Sequence, residues 1–319
     1  MRNPESKTVH RTYTSLVAAG LLLVPLSVSA QHGTRARSAH SAATATQVDQ
    51  QMLATQVALD RAGFSVGEID GVGGTKTRQA LQAYQKGAGA PLDTSGDPLI
   101  AYTITAQDAA GPFIEAMPTD MMDKAKLPAL GYTGVLEALA EKFHSSPNFL
   151  KKSNPEAAWK AGDTIKVPNV EPFDASAKGA PGVPGIAVRV SGATKALEVR
   201  DASGKILMYA PVTTGSEHDP LPIGQWKVNG VSWNPVFNYN PDLFWDANAA
   251  QSKAKIPAGP NNPVGVVWID INKEHYGLHG TPEPSTVGRT ESHGCIRLTN
   301  WDAARLGRLV TPGTKVVFQ

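Results

Sequence analysis

The sequence predicts a multidomain chain: a small all-α module, then an α+β segment, then a mainly β domain. Three observations predict it. The 319 residues exceed what one hydrophobic core usually organises. Apolar residues recur at helical spacing between residues 52 and 88. From Ile186 the texture changes to short runs rich in β-branched and aromatic residues, separated by Gly, Asn, Asp and Pro.

At the N-terminal side, Arg2, Lys7 and Arg11 precede an apolar run from Leu16 to Val28, followed by Val28-Ser29-Ala30 and polar Gln31. This is the pattern of a signal peptide over residues 1–30. The run falls short of the roughly 20 residues a membrane-spanning helix needs, so cleavage after Ala30 and a place outside the cytoplasm are expected. Residues 31–46 are small and polar without periodicity and read as a flexible leader. The net charge is +2, with no clustered Lys/Arg footprint and no charged tail. That argues against nucleic acid and for a polymeric or small-molecule partner.

Residues 47–110 form the first module. Met52, Leu53, Val57 and Leu59 mark a helix, Gly63 stops it, Asp70-Gly71 turns the chain, and Thr75 can cap a second helix carrying Ala80, Leu81, Tyr84 and Ala88. The stretch GFSVGEIDGVGGTKTRQALQAYQ resembles the small three-helix peptidoglycan-binding domain of secreted cell-wall enzymes. Gly63, Asp70, Gly71, Gly74, Thr77 and Gln85 fall on that family's characteristic positions. Most of these types serve tight turns.

In residues 128–170, Leu136, Leu139, Ala140 and Phe143 line one helical face, a short helix follows, and IKVP reads as a strand. Phe143, Leu150, Asn154, Gly162-Asp163 and IKVP resemble the C-terminal two-thirds of a LysM glycan-binding motif, whose usual opening strand is not recognisable here. Sugar binding and simple packing both remain open for this segment. Residues 171–184, rich in Pro, Gly and Ala, read as a linker. Residues 185–319 form the β domain, with one late helix that Asn300 can cap, Ala303, Leu306 and Val310 on one face, and Pro312-Gly313 past its end.

Within that domain lies the only cysteine of the chain, in TESHGCIRL. A single Cys in an exported chain has no intrachain partner, so it is either a buried small hydrophobe or a working thiol. Its neighbours favour work. In YGLHGTPEPSTVGRTESHGCIRL, His279 and His293 flank a Gly- and Pro-rich loop that delivers Cys295. A thiol with a free pKa of roughly 8.5 is a weak nucleophile, and an imidazole can take its proton or hold a thiolate–imidazolium pair. Gly280 and Gly294 allow close backbone approach, and the amides of His293, Gly294 and Cys295 can face an oxyanion. Zinc on His275, His279, His293 and Cys295 lacks a carboxylate or second thiol at a familiar spacing, so no metal is expected.

His279-Gly280 and Ser292-His293-Gly294-Cys295-Ile296-Arg297 resemble the paired motifs of the L,D-transpeptidase (YkuD-type) catalytic domain, and the upstream IPAGPNNPVGVVWIDI is similar to that family too. The resemblance implies a β-sandwich-like fold. It implies that Cys295 attacks a stem-peptide carbonyl, expels the terminal D-alanine and forms a thioester, with His279 as base oriented through the Gly280 carbonyl. His293 and Gly294 would shape the oxyanion site. Arg297 and Ser292 would lie on the substrate side, Ser292 to hydrogen-bond in the loop rather than react; Arg297 reads either as holding a substrate carboxylate or as a structural Arg pairing with a local carboxylate or carbonyl.

An amine then captures the acyl group, giving a 3-3 cross-link or attaching an outer-membrane lipoprotein. Water as acceptor would make an L,D-carboxypeptidase or endopeptidase, and an inert β domain would make a non-catalytic wall-binding protein. The resemblance implies no metal and no organic cofactor, carbapenem β-lactams as inhibitors, and the periplasm of a Gram-negative envelope. His218 and His275 read as ordinary surface or strand histidines. Trp233, Phe237, Tyr239, Phe244 and Trp245, in VSWNPVFNYNPDLFW, read as packing residues, with a lid as the other reading.

Overall fold

The computed structural model describes residues 49–87, 90–180, 182–248 and 250–319. The expected signal peptide, the leader and Ala88 lie outside the described residues. Asp49 caps α1 (Gln50–Arg61) by accepting from the amides of Gln51 and Met52. Leu53, Val57 and Leu59 bury one face of α1 near Ala80 and Ala83 of α2 (Thr75–Gly87). Gln56, also buried, accepts from the amides of Asp70 and Gly71 at 3.1 and 2.8 Å and so fixes the turn between the helices.

Two helices, not three, occupy the described part of residues 49–97. Past α2 the sequence PLDTSGDP cannot continue a helix, and the β-branched and aromatic run LIAYT becomes β1 (Leu99–Thr103). α3 (Met121–Lys124), α4 (Val135–Lys142), α5 (Pro147–Ser153) and β2 (Thr164–Pro168) follow. β1 lies in the expected first module yet pairs antiparallel with β2, Leu99 opposite Pro168 and Thr103 opposite Thr164. The expected face of α4 is inward: Leu139, Ala140 and Phe143 are buried, with Leu136 packed against them.

One apolar cluster joins α1, α2, α4, α5 and β2 to Ala196, Ile206 and Tyr209 of the β domain. The loop after α1 also lies along the edge of that domain, where Ser65 N–H donates to the Tyr209 carbonyl and Tyr209 N–H to the Gly63 carbonyl, both at 2.9 Å. An edge strand is thereby covered. The 171–184 connection is packed against the protein: Phe173 is buried and its amide donates to the Lys142 carbonyl at 2.8 Å.

The β domain comprises β3 (Ala187–Ser191), β4 (Ala196–Arg200), β5 (Ile206–Pro211), β6 (Gly224–Trp233), β7 (Phe237–Tyr239), β8 (Ala254–Ile256), β9 (Val267–Ile271), β10 (Gly277–His279), β11 (Ile296–Arg297), α6 (Asn300–Leu309) and β12 (Lys315–Phe318). Eight strands form one sheet in the order β11-β10-β9-β6-β12-β3-β4-β5, while β7 and β8 pair as a separate hairpin. Val188, Val190, Val267, Ile269, Ile271, Val316 and Phe318 alternate inward along their strands, against Trp301, Ala303 and Leu306 of α6.

The expected sandwich-like domain is one curled sheet rather than two sheets face to face. Thr213, just past β5, and Arg297 of β11 exchange two backbone hydrogen bonds of 3.0 Å, stitching the two edges together. Register irregularities in β6 at Val228/Gly230 and in β4 at Val199/Arg200 supply the added twist that such closure needs. The cap of α6 is Thr299, whose hydroxyl accepts from the Asp302 amide, and not Asn300. No helix among the described residues is long and apolar enough to cross a membrane.

Candidate active site

β10 and β11 are parallel neighbours, with Leu278 opposite Ile296 and His279 opposite Arg297. Side chains alternate along a strand, so His279, Arg297 and Cys295, two residues before Arg297, share one face of the sheet. The Gly277 amide meets the Cys295 sulfur from the neighbouring strand.

His279 is 4% exposed and stacks on Trp268 with ring centroids 5.5 Å apart. Its Nδ1 lies 2.7 Å from the Gly280 carbonyl, so Nδ1–H donates and Nε2 keeps its lone pair. Burial, helped by the Arg297 cation, pushes the ring pKa down to about 3. The Cys295 thiol donates to the His275 carbonyl at 3.6 Å, and burial pushes its pKa up to about 11. The resting pair is therefore neutral thiol and neutral imidazole. Of the two options a Cys–His pair offers, the structure favours proton removal at the moment of attack over a standing ion pair.

Gly294 has φ +97, and a Cβ there would sit 2.6 Å from the Tyr276 ring, so only glycine fits this turn before the nucleophile. The amides of His293, Gly294 and Cys295 donate to no backbone acceptor among the described residues, which leaves them available to an oxyanion. Ser292 makes the expected hydrogen bond within the loop: it is buried and its hydroxyl donates to the Cys295 carbonyl at 2.7 Å, which corrects only its expected place on the substrate side. Arg297 donates to the Glu291 carbonyl at 3.2 Å and forms no ion pair among the described residues, so its guanidinium can still take a carboxylate.

The His293 ring turns toward the aromatic insertion. Its Nε2 is 2.8 Å from Asp246 Oδ1, Phe244 meets it edge-on at 5.0 Å, and Trp245 lies 5.7 Å away. Trp245 also stacks on His218 at 4.4 Å. The His293 Nε2 is thus engaged by Asp246 while its buried Nδ1 has no partner among the described residues, and its backbone amide is free for the oxyanion role. The His275 side chain is exposed, and its carbonyl is the part that meets the thiol.

Sequence reasoning missed four contributors: Asn300, Glu141, Tyr276 and Thr213. Asn300 is fully buried; its Nδ2 donates to Glu141 Oε1 at 2.6 Å, and its Oδ1 accepts from the Val266 amide at 3.2 Å. The same oxygen lies where any Cβ on Gly280 would be, so Asn300 fixes the peptide that orients His279. Tyr276 backs Gly294, and its place three residues before His279 in YGLHG was the one signal that could have found it. Among the described residues no group of three or more His, Cys, Asp or Glu side chains is placed to hold a metal ion.

Fold and site together define a cysteine acyltransferase domain, with one thiol, one neutral imidazole and free amides at the edge of a curled sheet. Residues 186–318 match the family described as "L,D-transpeptidase catalytic domain" (YkuD), and residues 49–97 match the "Putative peptidoglycan binding domain" family. The β domain is thus similar to L,D-transpeptidase catalytic domains, and the chain is an enzyme of the transpeptidase, acyltransferase class.

Similar proteins include "Putative L,D-transpeptidase YkuD" of Bacillus licheniformis, 29% identical over 185 residues, covering 57% of this chain and 91% of that protein. The Bacillus subtilis protein of that name is 26% identical over 186 residues, covering 57% and 92%. "Probable L,D-transpeptidase YbiS" of Escherichia coli is 36% identical over 92 residues, 29% of each chain. Among solved structures, L,D-transpeptidase 3 from Mycobacterium tuberculosis with a faropenem-derived adduct aligns over 50% of this chain and 75% of its own, at 16% identity and TM-score 0.36. The chain spans half the length of the Enterococcus faecium L,D-transpeptidase structure it also matches.

Proposed function

We propose that the chain is an exported peptidoglycan L,D-transpeptidase that works on stem peptides in the periplasm. The observation that carries this reading is the parallel pairing of β10 with β11, which sets His279, Cys295 and Arg297 on one face beside unpartnered amides. In this reading Cys295 Sγ forms a bond to the carbonyl carbon of the third stem residue while its proton passes to His279 Nε2. The amides of His293, Gly294 and Cys295 receive the negative oxygen. The carbon–nitrogen bond to D-alanine breaks, and the imidazolium returns the proton to the departing amine. The Gly280 carbonyl, accepting from Nδ1, steadies the ring while it is charged. An amine from a second stem or from a lipoprotein then attacks the thioester.

The match to a peptidoglycan-binding family supports wall attachment through residues 47–110. For the LysM-like reading of the next segment, the support is that β1 pairs with β2 around α4 and α5, so that its outer strands meet. A lid role for the aromatic insertion has its support in Phe244, Trp245 and Asp246, which lie on His293 beside the nucleophile's loop.

Purified protein incubated with tetrapeptide muropeptides should release D-alanine and yield peptide-linked dimers. Tripeptides without dimers would point to hydrolysis. Cys295→Ala should abolish both products while wall binding persists; unchanged products from that variant would remove the reading. Intact-protein mass spectrometry should show one carbapenem adduct on the wild type and none on Cys295→Ala.

A further inference from the structure

Away from the thiol, a cleft of about 540 Å³ opens between the helical module and the β domain. Five charged side chains line it: Glu68, Asp70 and Lys76 from the module, Lys195 and Arg289 from the β domain. Lys76 crosses the boundary. A Cβ on Gly67 would lie 3.5 Å from its Nζ, and one on Gly288, in the loop that leads to Cys295, would lie 3.7 Å from its Cε.

Arg289 follows directly in that loop, and its cation together with burial lowers the Lys76 ammonium below the usual lysine range, burial being the larger effect. Neither Lys76, Lys195 nor Arg289 uses its side chain in a hydrogen bond or ion pair among the described residues. Like charges brought together in partly dry surroundings cost free energy, and a bound anion lowers that cost.

The carboxylates offset this in part. Glu68 and Asp70 both favour the Lys76 ammonium, but neither forms an ion pair with a cation of the cleft among the described residues, and Asp70 has Oδ1 engaged by Gln56 Nε2 and the Val72 amide. The cleft thus presents Lys195 and Arg289 on its β-domain side and Lys76 with the two carboxylates on its helical side, a mixed lining that suits a ligand carrying both signs. A peptidoglycan stem peptide has that chemistry, with free carboxylates and, on its diamino acid, an ammonium.

We propose that this junction cleft is a second stem-peptide site, in which Lys76 and Arg289 hold a stem carboxylate away from the catalytic thiol. The proposal rests on the wall-directed reading above. Its position gives it a use. Gly288 N–H donates to Thr213 Oγ1 at 2.9 Å, and Thr213 is the residue stitched to Arg297 beside Cys295. A strand held at the cleft is therefore tethered against the loop that presents the nucleophile.

The test uses the full chain carrying Cys295→Ala, so that binding is measured without turnover and stands apart from whether transfer occurs. Binding is compared on intact sacculi and on glycan strands stripped of peptide by an amidase, for this parent and for added Lys76→Gln, Arg289→Gln or both. Arg289 is exposed and contributes no side-chain hydrogen bond to the fold, so its variant reports on binding even if Lys76→Gln disturbs packing. Intact sacculi should bind the parent more tightly than stripped strands, and each lost cation should weaken that preference roughly tenfold, less so as salt rises. Equal binding of parent and Arg289→Gln to intact sacculi would overturn the site, and equal binding of the parent to intact and stripped material would overturn the ligand.

Discussion

At the scale of single residues, the state of the sulfur decides the chemistry. With the Cys295 thiol pushed up to about 11, thiolate at pH 7 is on the order of one part in ten thousand. Alkylation of the free protein by iodoacetamide should therefore be slow at pH 7 and climb about tenfold per pH unit to pH 9. A plateau beginning near pH 6 would show a standing ion pair and sink this account. Stability follows the same groups with opposite signs. His279 is lowered in the fold, so its share is complete above the unfolded value of 6.5 and lost as pH falls toward about 3. Cys295 is raised from 9.0, so its share is complete below that and lost as pH climbs toward about 11. Much of this site was legible because Cys295, His293, Gly294 and His279 fall within one short stretch, where residue type alone announces an acyl-transfer chemistry. Asn300 was not. Asn is a common cap, so the sequence pointed to capping, but Thr299 one place earlier took that role and released Asn300 to meet Glu141, 159 residues away. No local pattern reports such a contact.

Among the elements, helical period placed α4 correctly and still missed what its polar side does. Glu141 sits next to the inward Ala140, and α4 packs near the start of α6, so the carboxyl is buried with Asn300 as a donor. Burial raises its pKa to about 7, only partly opposed by hydrogen bonds from Tyr132 and Asn300. A carboxyl raised in the fold contributes stability that is present below the unfolded value of 4.5 and lost as pH rises through about 7. Replacing it with an amide keeps an acceptor for Asn300 and cannot ionise. Urea unfolding at pH 5 and pH 8 should show the wild type losing up to about 3 kcal/mol relative to Glu141→Gln across that interval. Identical pH dependence in the two proteins would remove Glu141 as the titrating group. The elements the sequence could not supply were relational: β1 finds β2 only across a long intervening stretch, and the sheet's closure depends on one bridge at Thr213.

For the molecule as a whole, the consequence is that segments read as separate domains share buried charge. Asp60 of α1, 1% exposed, lies 3.0 Å from His144 Nδ1 at the end of α4 and 3.2 Å from Arg305 Nη2 of α6. Ser65 donates to Asp302 Oδ2 at 2.7 Å, and the His144 ring stacks on Trp301 with centroids 5.2 Å apart. Burial alone would raise the Asp60 carboxyl, yet the His144 and Arg305 charges hold it well below the usual carboxylate range. Its contribution is thus present above the unfolded value of 3.8 and lost as pH falls below it. Because the network ties α1, α4 and α6 and one apolar cluster runs through the same elements, residues 49–319 should unfold in one transition by tryptophan fluorescence and by far-UV circular dichroism alike. Asp60→Asn removes the charge and leaves Arg305 with only Asp302, 3.8 Å away. That should cost about 3–5 kcal/mol and lower the guanidinium midpoint at pH 7, with the helical module becoming the first site of proteolysis. Separate transitions in the wild type, or an unchanged midpoint in the variant, would show that the segments fold independently and that this buried cluster does not join them.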